Sequence, residues 1–288
     1  MISYLNAIVT DDYTVSIDNI VIDFWITNSN SREIIEARIN CLVGDGAQVI
    51  SWKSTKPGTF QEQYIIKINS EKSFWLGHGL IATGIASERY RLEFNPNKIA
   101  DHEIFKTVHG LLFKSCRQPL TRIARFDLAI DIPVDRSACF LIKDRRLYLE
   151  RRHGTEFTQY LGSKSSSVGR VKLYNKTAES KLAFPLTRLE LTLDPRTPYE
   201  EVNFPTVYVV QSKLTDKGNE LKITDTDKFI LNALLHGVGM LGDLGRKTRA
   251  KMEVLLNDYV CQVKISKKQY VQVLQQLEHY ITNKKLQV

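Results

Sequence analysis

A strand-like tetrapeptide, Arg-Leu-Glu followed by an apolar residue, occurs twice in the sequence, at Arg91–Phe94 and at Arg188–Leu191. Each copy follows an apolar strand-like segment that carries an aspartate, Asp23 in the first case and Asp127 in the second. The return of similar elements in the same order predicts an internal duplication. We therefore expect an α+β fold, with a duplicated antiparallel β-sheet, flanking helices and a C-terminal helical segment. Chance similarity between two amphipathic strands is the alternative interpretation.

The segment from 170 to 176 alternates as a half-buried strand does. Arg170, Lys172, Tyr174 and Lys176 share one face, and apolar side chains point to the other. Three cations around a tyrosine would help its hydroxyl to contact a negatively charged phosphate group. An ordinary edge strand with a solvated cationic face is the alternative.

Carboxylates lie on two further strand-like segments. Asp127 and Asp131 share a face of the first segment. They are about 13 Å apart along an extended strand, so they cannot both bind the same ion unless the strand has a bulge or a bend. Glu190 shares a face of the second segment with Arg188, and the alternative to a ligand role is that Glu190 is half of a cross-strand ion pair.

Composition narrows the class of protein. The net charge of +8 favours anionic partners, nucleic acid first. The four cysteines form no Cys-x-x-Cys pair, which argues against a disulfide scaffold or a cysteine zinc site and predicts a reducing, cytoplasmic location. No apolar run approaches the ~18 residues of a membrane span. The six histidines are isolated, so carboxylates are the expected metal ligands.

A group of cations opens a helix-like segment of the C-terminal region; its members are Arg246, Lys247, Arg249 and Lys251. Cations at a helix N-terminus oppose the helix dipole, and a bound phosphate would offset that cost. The segment therefore predicts a DNA contact, and a solvated basic face is the alternative.

Four motifs in series resemble a known family. They are YRLEFNPNK (90–98), TRIARFDLAID (121–131), TQYLGSKSSSVGRVKLYNK with a glutamate three residues on (158–179), and TRLEL (187–191). In this order and at these spacings they are similar to the replication initiators of staphylococcal rolling-circle plasmids. That replication-initiation-factor family also includes relaxases of some integrative conjugative elements. The resemblance is good from Tyr90 to Leu193, weaker in the cationic C-terminal helix and faint before Ile20.

The resemblance implies a metal-dependent DNA nickase that forms a 5′-phosphotyrosine intermediate. The family's nicking tyrosine falls on Tyr174, and its acidic positions fall on Asp127, Asp131, Glu190 and Glu179. The implied fold is a duplicated β-sheet with helices, acting as a homodimer in which one half keeps the active site. A host replicative helicase is a further partner that the family alone implies.

The predicted site has three groups of residues. The catalytic group is Tyr174, Lys172, Lys176 and Glu179, the last as a general base or orienting group. The ligands of Mg²⁺ or Mn²⁺ are Asp127, Glu190 and Asp131, the last as a ligand or as a support for one. The DNA contacts are Arg170, Arg188, Arg246, Lys247, Arg249 and Lys251. Oxygen ligands select these two ions, and an unperturbed tyrosine, with a pKa near ~10, needs a base, a cation or a metal to attack.

We expect three parts in the chain. Residues 1–118 form a degenerate β/α half that is a scaffold for DNA or a dimer, 119–210 form the catalytic half, and 211–288 recognise the origin. The expected partner is double-stranded origin DNA with an extruded single-stranded nick site. A conjugative relaxase and a non-catalytic DNA-binding regulator are the alternative functions.

Overall fold

A computed structural model of the chain describes residues 8–9, 13–26, 29–82, 88–166, 168–210 and 223–282. Parts of the predicted N-terminal half and of the predicted origin-recognition region lie outside the described residues; they include 1–7, 211–222 and 283–288.

The alternating segments of the sequence form β-strands. They are β1 (Ile8–Val9), β2 (Thr14–Ile26), β3 (Gln48–Lys53), β4 (Phe60–Lys67), β5 (Ser73–Leu80), β6 (Arg89–Phe94), β7 (Cys116–Ile132), β8 (Cys139–Leu141), β9 (Tyr148–His153), β10 (Glu156–Leu161), β11 (Val171–Asn175), β12 (Thr187–Leu193), β13 (Val207–Val210) and β14 (Val260–Gln262).

The α-helices are α1 (Ser29–Cys41), α2 (Pro96–Ile99), α3 (Glu103–Ser115), α4 (Lys176–Ser180), α5 (Asp225–Leu235), α6 (Arg246–Val254) and α7 (Lys267–Thr282). The apolar side chains of α3 recur at helical spacing in the sequence, and they are buried.

Within the described residues, eleven strands form one antiparallel sheet, in the order β3-β4-β5-β6-β2-β7-β12-β11-β10-β9 with β1 paired to β2 off this path. Strands β2 and β7 lie side by side at the centre. The first half continues outward from β2 as β6, β5, β4 and β3, and the second half continues from β7 in the matching order, β12, β11, β10 and β9. This strand order confirms the expected duplicated antiparallel sheet.

Strand register aligns the two halves residue by residue. Arg91 on β6 pairs with Asp23 on β2, and Arg188 on β12 pairs with Asp131 on β7. Asp23 therefore corresponds to Asp131, and its expected equivalence with Asp127 is wrong. The number of residues between each aspartate and its Arg-Leu-Glu strand does not identify the equivalent aspartates, because the segments between the paired strands differ in length.

The same register shows what the first half has in place of the tyrosine. Tyr174 on β11 pairs with Arg188, and the residue that pairs with Arg91 on β5 is Gly77. A Cβ atom on Gly77 would lie 2.3 Å from the ring of Trp75. An indole ring thus covers the position that the phenol takes in the second half.

The two faces of the main sheet differ in polarity. One face packs against α1, α3 and α7 and forms the main hydrophobic core. Along β12, Leu189 and Leu191 enter that core, while Arg188 and Glu190 point to the opposite face. That opposite face carries the predicted site residues of β7, β11 and β12, and we call it the polar face.

A second, smaller layer follows the main sheet in the chain. Strands β8, β13 and β14 form a three-stranded sheet that packs with α5 and α6 around its own core. Helix α7 then returns to the main sheet. The division of the chain into three parts stays a prediction, and its first boundary, at 118, lies inside β7. No described helix has the length and apolar character needed to cross a membrane.

Candidate active site

Tyr174 lies on the polar face of β11, with its ring covered by charged side chains. Its hydroxyl donates a hydrogen bond to Oε1 of Glu190, 2.6 Å away on the neighbouring strand. The Lys172 ammonium lies 3.6 Å from the centre of the phenol ring and 3.4 Å from Oε2 of Glu190. The tyrosine is 5% exposed because these groups cover it, and its own strand neighbours Val171 and Leu173 enter the core on the other face.

Burial sets the protonation state of this pair. Burial raises the pKa of Tyr174, and the adjacent Glu190 carboxylate raises it further. Burial also raises the pKa of Glu190, although the Lys172 charge acts in the opposite direction. The phenol is therefore protonated near neutral pH. The acceptor of its hydrogen bond is a carboxylate whose proton affinity is higher than usual, which suits a general base.

Helix α4 places a second cation beside the tyrosine. Asn175 caps this helix by accepting a hydrogen bond from the backbone of Ala178. The Lys176 ammonium lies 5.9 Å from the centre of the Tyr174 ring and forms an ion pair with Glu179. Burial acts to raise the pKa of Glu179. The hydrogen bond from Lys176 and the positive charges of Lys176, Lys172 and Arg188 together outweigh it, so the pKa lies below its ordinary value. Glu179 thus contacts Lys176, an arrangement that fits the orienting role expected for it.

Two of the predicted site residues are buried against each other. Arg188 donates to both carboxylate oxygens of Asp131, at 2.6 and 2.7 Å, and to Oδ1 of Asp18 at 2.7 Å. Arg188 therefore pairs with Asp131 and not with Glu190. Glu190 does form a cross-strand ion pair, as the alternative expects, but its partner is Lys172 at 3.4 Å. Since both oxygens of Asp131 accept from this guanidinium, the expectations of a metal ligand at Asp131 and a DNA contact at Arg188 lose their support.

Asp127 and Glu190 are diagonal neighbours on the polar face. Asp127 pairs with Thr192, and Glu190 pairs with the small residue Ala129, two positions along β7 from Asp127. The backbones of diagonal neighbours are about 7–8 Å apart, within reach of long side chains. Burial raises the pKa of Asp127, although a hydrogen bond from Thr192 opposes the shift.

Asp18 is a site residue that sequence reasoning missed. The pairing of β2 with β7 shifts register between Ile17 and Asn19, so Asp18 is the extra residue of a β-bulge. Its Oδ1 accepts hydrogen bonds from Arg188 and, at 3.1 Å, from Asn95. The charge of Asp18 also acts to raise the pKa values of Asp127 and Glu190. A sequence pattern that assumes regular alternation gives no sign of such a residue.

The carboxylates of this site suit a hard divalent ion. Mg²⁺ is typically held by one or two carboxylates together with phosphate oxygens and water, so Asp127 and Glu190 form a sufficient protein donor set. Among the described side chains, the group of three with ligand atoms already within 4.8 Å of one another lies elsewhere, at Glu36, Glu62 and His78. The residues at the tyrosine offer oxygen ligands, which fit Mg²⁺ or Mn²⁺.

The similarity of this chain to known proteins is distant. No protein-family model and no curated protein matches the chain. Among solved structures, it is similar to a rolling circle replication initiator protein from Geobacillus stearothermophilus, at 13% sequence identity and a TM-score of 0.36 over 77% of this chain and 96% of that chain. A likeness this distant carries no argument about function.

The remaining predicted DNA contacts divide into two kinds. Arg249 donates to the backbone oxygens of Leu241, Gly242 and Leu244, and Lys251 forms an ion pair with Asp227 at 2.6 Å; these two cations hold the C-terminal helices together. Arg246 and Lys247 are exposed at the start of α6, and Arg170 lies over the Tyr160 ring on the polar face.

Proposed function

We propose that the protein cleaves and rejoins a DNA strand with Tyr174 as its nucleophile and acts as an initiator of rolling-circle plasmid replication. The observation that carries the proposal is the 2.6 Å hydrogen bond from the Tyr174 hydroxyl to Glu190, beneath the Lys172 ammonium. The four motifs that resemble plasmid initiators support the replication role. Origin DNA with an extruded nick site is the proposed substrate, and a homodimer, a host helicase and a cytoplasmic location belong to the same proposal.

The proposed reaction transfers a phosphodiester from sugar to tyrosine. The phenolic oxygen of Tyr174 bonds to phosphorus as the P–O3′ bond breaks, which leaves a 5′-phosphotyrosine and a 3′-hydroxyl. Glu190 takes the phenolic proton, and the leaving 3′ oxygen takes a proton from water. Because one phosphodiester replaces another, attack by a 3′-hydroxyl reverses the reaction and rejoins the strand.

The neighbouring charges stabilise the negative charge that develops. Lys172 and Lys176 flank the phenol ring, so both ammonium groups lie close to the attacking oxygen and the phosphate. Asp127 and Glu190 would hold the Mg²⁺ or Mn²⁺, which supplies polarisation of the scissile phosphate when bound. Arg170 would contact the strand beside the cut.

A strand-transfer assay tests the proposal. A pool of single-stranded oligonucleotides labelled at the 3′ end, incubated with Mn²⁺ and the protein, should give a labelled adduct that survives denaturing detergent. Tyr174→Phe should abolish the adduct and leave DNA affinity within about twofold, whereas Tyr160→Phe, on the same face, should keep it. An adduct that persists in Tyr174→Phe would contradict the proposal, and so would a loss of DNA binding in that variant.

The two alternative functions predict different outcomes. Metal-dependent adduct formation eliminates a non-catalytic DNA-binding regulator. A conjugative relaxase would perform the same chemistry, so the separating test is replication: a plasmid that carries this gene and its origin alone should replicate if the protein is an initiator.

A further inference from the structure

A second cluster of ionisable side chains lies on the helix-covered face of the first half. Glu36 on α1, Glu62 on β4 and His78 on β5 each bring one ligand atom within 4.8 Å of the others. Glu62 and His78 are directly paired across their strands, so the sheet itself fixes their spacing. The cluster is on the face opposite to Tyr174, because His78 pairs on its other side with Tyr90, which enters the main core.

His78 is an unusual member of this cluster. It is 2% exposed, and neither ring nitrogen has a hydrogen-bond partner among the described residues. Nδ1 faces Oε2 of Glu62 at 3.6 Å, and Nε2 faces Oε2 of Glu88 at 3.5 Å. The ring is held in place by stacking on Tyr90, with 4.2 Å between centroids. A buried polar group without hydrogen bonds costs free energy, and a cation bound between the imidazole and the carboxylates would offset that cost.

The distances suit a small transition-metal ion. Zinc bonds to carboxylate oxygen and imidazole nitrogen at about 2.1 Å, so two ligand atoms of a tetrahedral site are about 3.4 Å apart. The 3.6 Å between Nδ1 of His78 and Oε2 of Glu62 is close to that value. Imidazole combined with carboxylates favours Zn²⁺ over Mg²⁺, which prefers oxygen ligands alone.

A positive charge already lies at the carboxylates of this cluster. The Arg32 guanidinium contacts Glu36 at 2.7 Å and Glu62 at 3.6 Å. The Glu36 side chain is 35% exposed, so an ion can enter from solvent and complete its coordination with water. Arg32 is also partly exposed, and because its guanidinium occupies the same two carboxylates it competes with the ion for them.

We propose that Glu36, Glu62 and His78 form a structural site for Zn²⁺ or a similar divalent transition-metal ion, which links α1 to β4 and β5. In the second half, the position of His78 is taken by Asn175, so register places no equivalent imidazole there. The site is separate from the carboxylates beside Tyr174 and independent of the proposed nicking reaction.

Zinc binding to the full-length protein tests this site. After treatment with a chelator, the protein is titrated with Zn²⁺ in competition with a chromogenic chelator, and the melting temperature is followed. With excess Mg²⁺ present to occupy the carboxylates beside Tyr174, we expect about one bound equivalent of Zn²⁺ and a higher melting temperature. Glu36→Gln, at the solvent edge, and His78→Gln should each weaken binding by roughly tenfold or more. Glu103→Gln removes an exposed carboxylate of α3 that pairs with Lys106, so it is the matched control and should bind like the wild type.

Arg32→Ala provides a variant with the opposite expected effect. If Arg32 competes with the ion, its removal should tighten Zn²⁺ binding. The proposal is overturned if the wild type binds no Zn²⁺, if Glu36→Gln binds it as tightly as the wild type, or if Arg32→Ala leaves the affinity unchanged. Because Glu36 lies at the surface, its variant keeps the test decisive even where His78→Gln does not fold.

Discussion

At the scale of single residues, the proposed role of Glu190 as the base for Tyr174 gives a prediction about rate. Glu190→Gln keeps an oxygen that can accept the Tyr174 hydrogen bond but cannot take up the proton. We expect single-turnover adduct formation to slow by about 10²–10⁴-fold, with DNA affinity unchanged. In the wild type the rate should fall as pH falls through the raised pKa of Glu190, because the base must be deprotonated, and the variant should lack that dependence. A variant that reacts within about threefold of the wild type would rule out this base.

Asp127 gives a prediction about stability. Burial raises its pKa, so the folded chain favours the protonated form. This stabilises the fold fully at pH values below the pKa that Asp127 has in the unfolded chain. The stabilisation is lost as the pH rises through the pKa of Asp127 in the folded chain. Asp127→Asn should therefore melt at a higher temperature than the wild type at neutral pH, by an amount that shrinks towards about pH 4. Thermal unfolding followed by circular dichroism checks this, and a difference that does not change with pH would contradict it.

At the scale of elements, the ion pair of Arg188 with Asp131 joins β12 to β7. Arg188→Met leaves a buried carboxylate without its partner and should cost about 3–5 kcal/mol in the free energy of unfolding, measured in urea. Arg196 pairs with Asp194 at the surface, so Arg196→Met is a control that should leave the free energy of unfolding nearly unchanged. Equal costs in the two variants would show that the buried pair is not a structural link.

Helix α6 gives a prediction about DNA affinity. The double variant Arg246→Ala, Lys247→Ala removes two exposed cations and should lower the slope of log Kd against log salt concentration by about two. Lys251→Ala removes a cation that Asp227 already neutralises, so it should leave the slope unchanged. The reverse pattern would place the DNA contact on another surface.

Local alternation in the sequence was sufficient to predict several elements and their faces. It indicated the polar faces of β7, β11 and β12, the amphipathic helix α3 and the cationic start of α6. It could not show the bulge at Asp18, the pairing of Arg188 with Asp131 or the approach of His78 to Glu62. All three depend on the register between strands that are distant in the chain, and register is fixed by tertiary packing.

At the scale of the whole molecule, the two halves share a strand order but differ where one has Tyr174 and the other Gly77. Gly77→Ala places a methyl group against the Trp75 ring and should cost about 1–3 kcal/mol. Gly110→Ala, in helix α3, meets no atom within 4 Å and should instead stabilise the protein by up to about 1 kcal/mol. Urea unfolding of both variants checks the difference, and a stabilising Gly77→Ala would contradict the tight contact in the first half.

The polar face of the duplicated sheet thus carries the Tyr174–Glu190 pair in its second half. The most direct measurement is to digest the covalent protein–DNA adduct with protease and nuclease and to sequence the nucleotide-bearing peptide by mass spectrometry. We predict that the nucleotide is attached to Tyr174. Attachment to any other residue, or the absence of an adduct with active-site metal and single-stranded substrate supplied, would contradict the account.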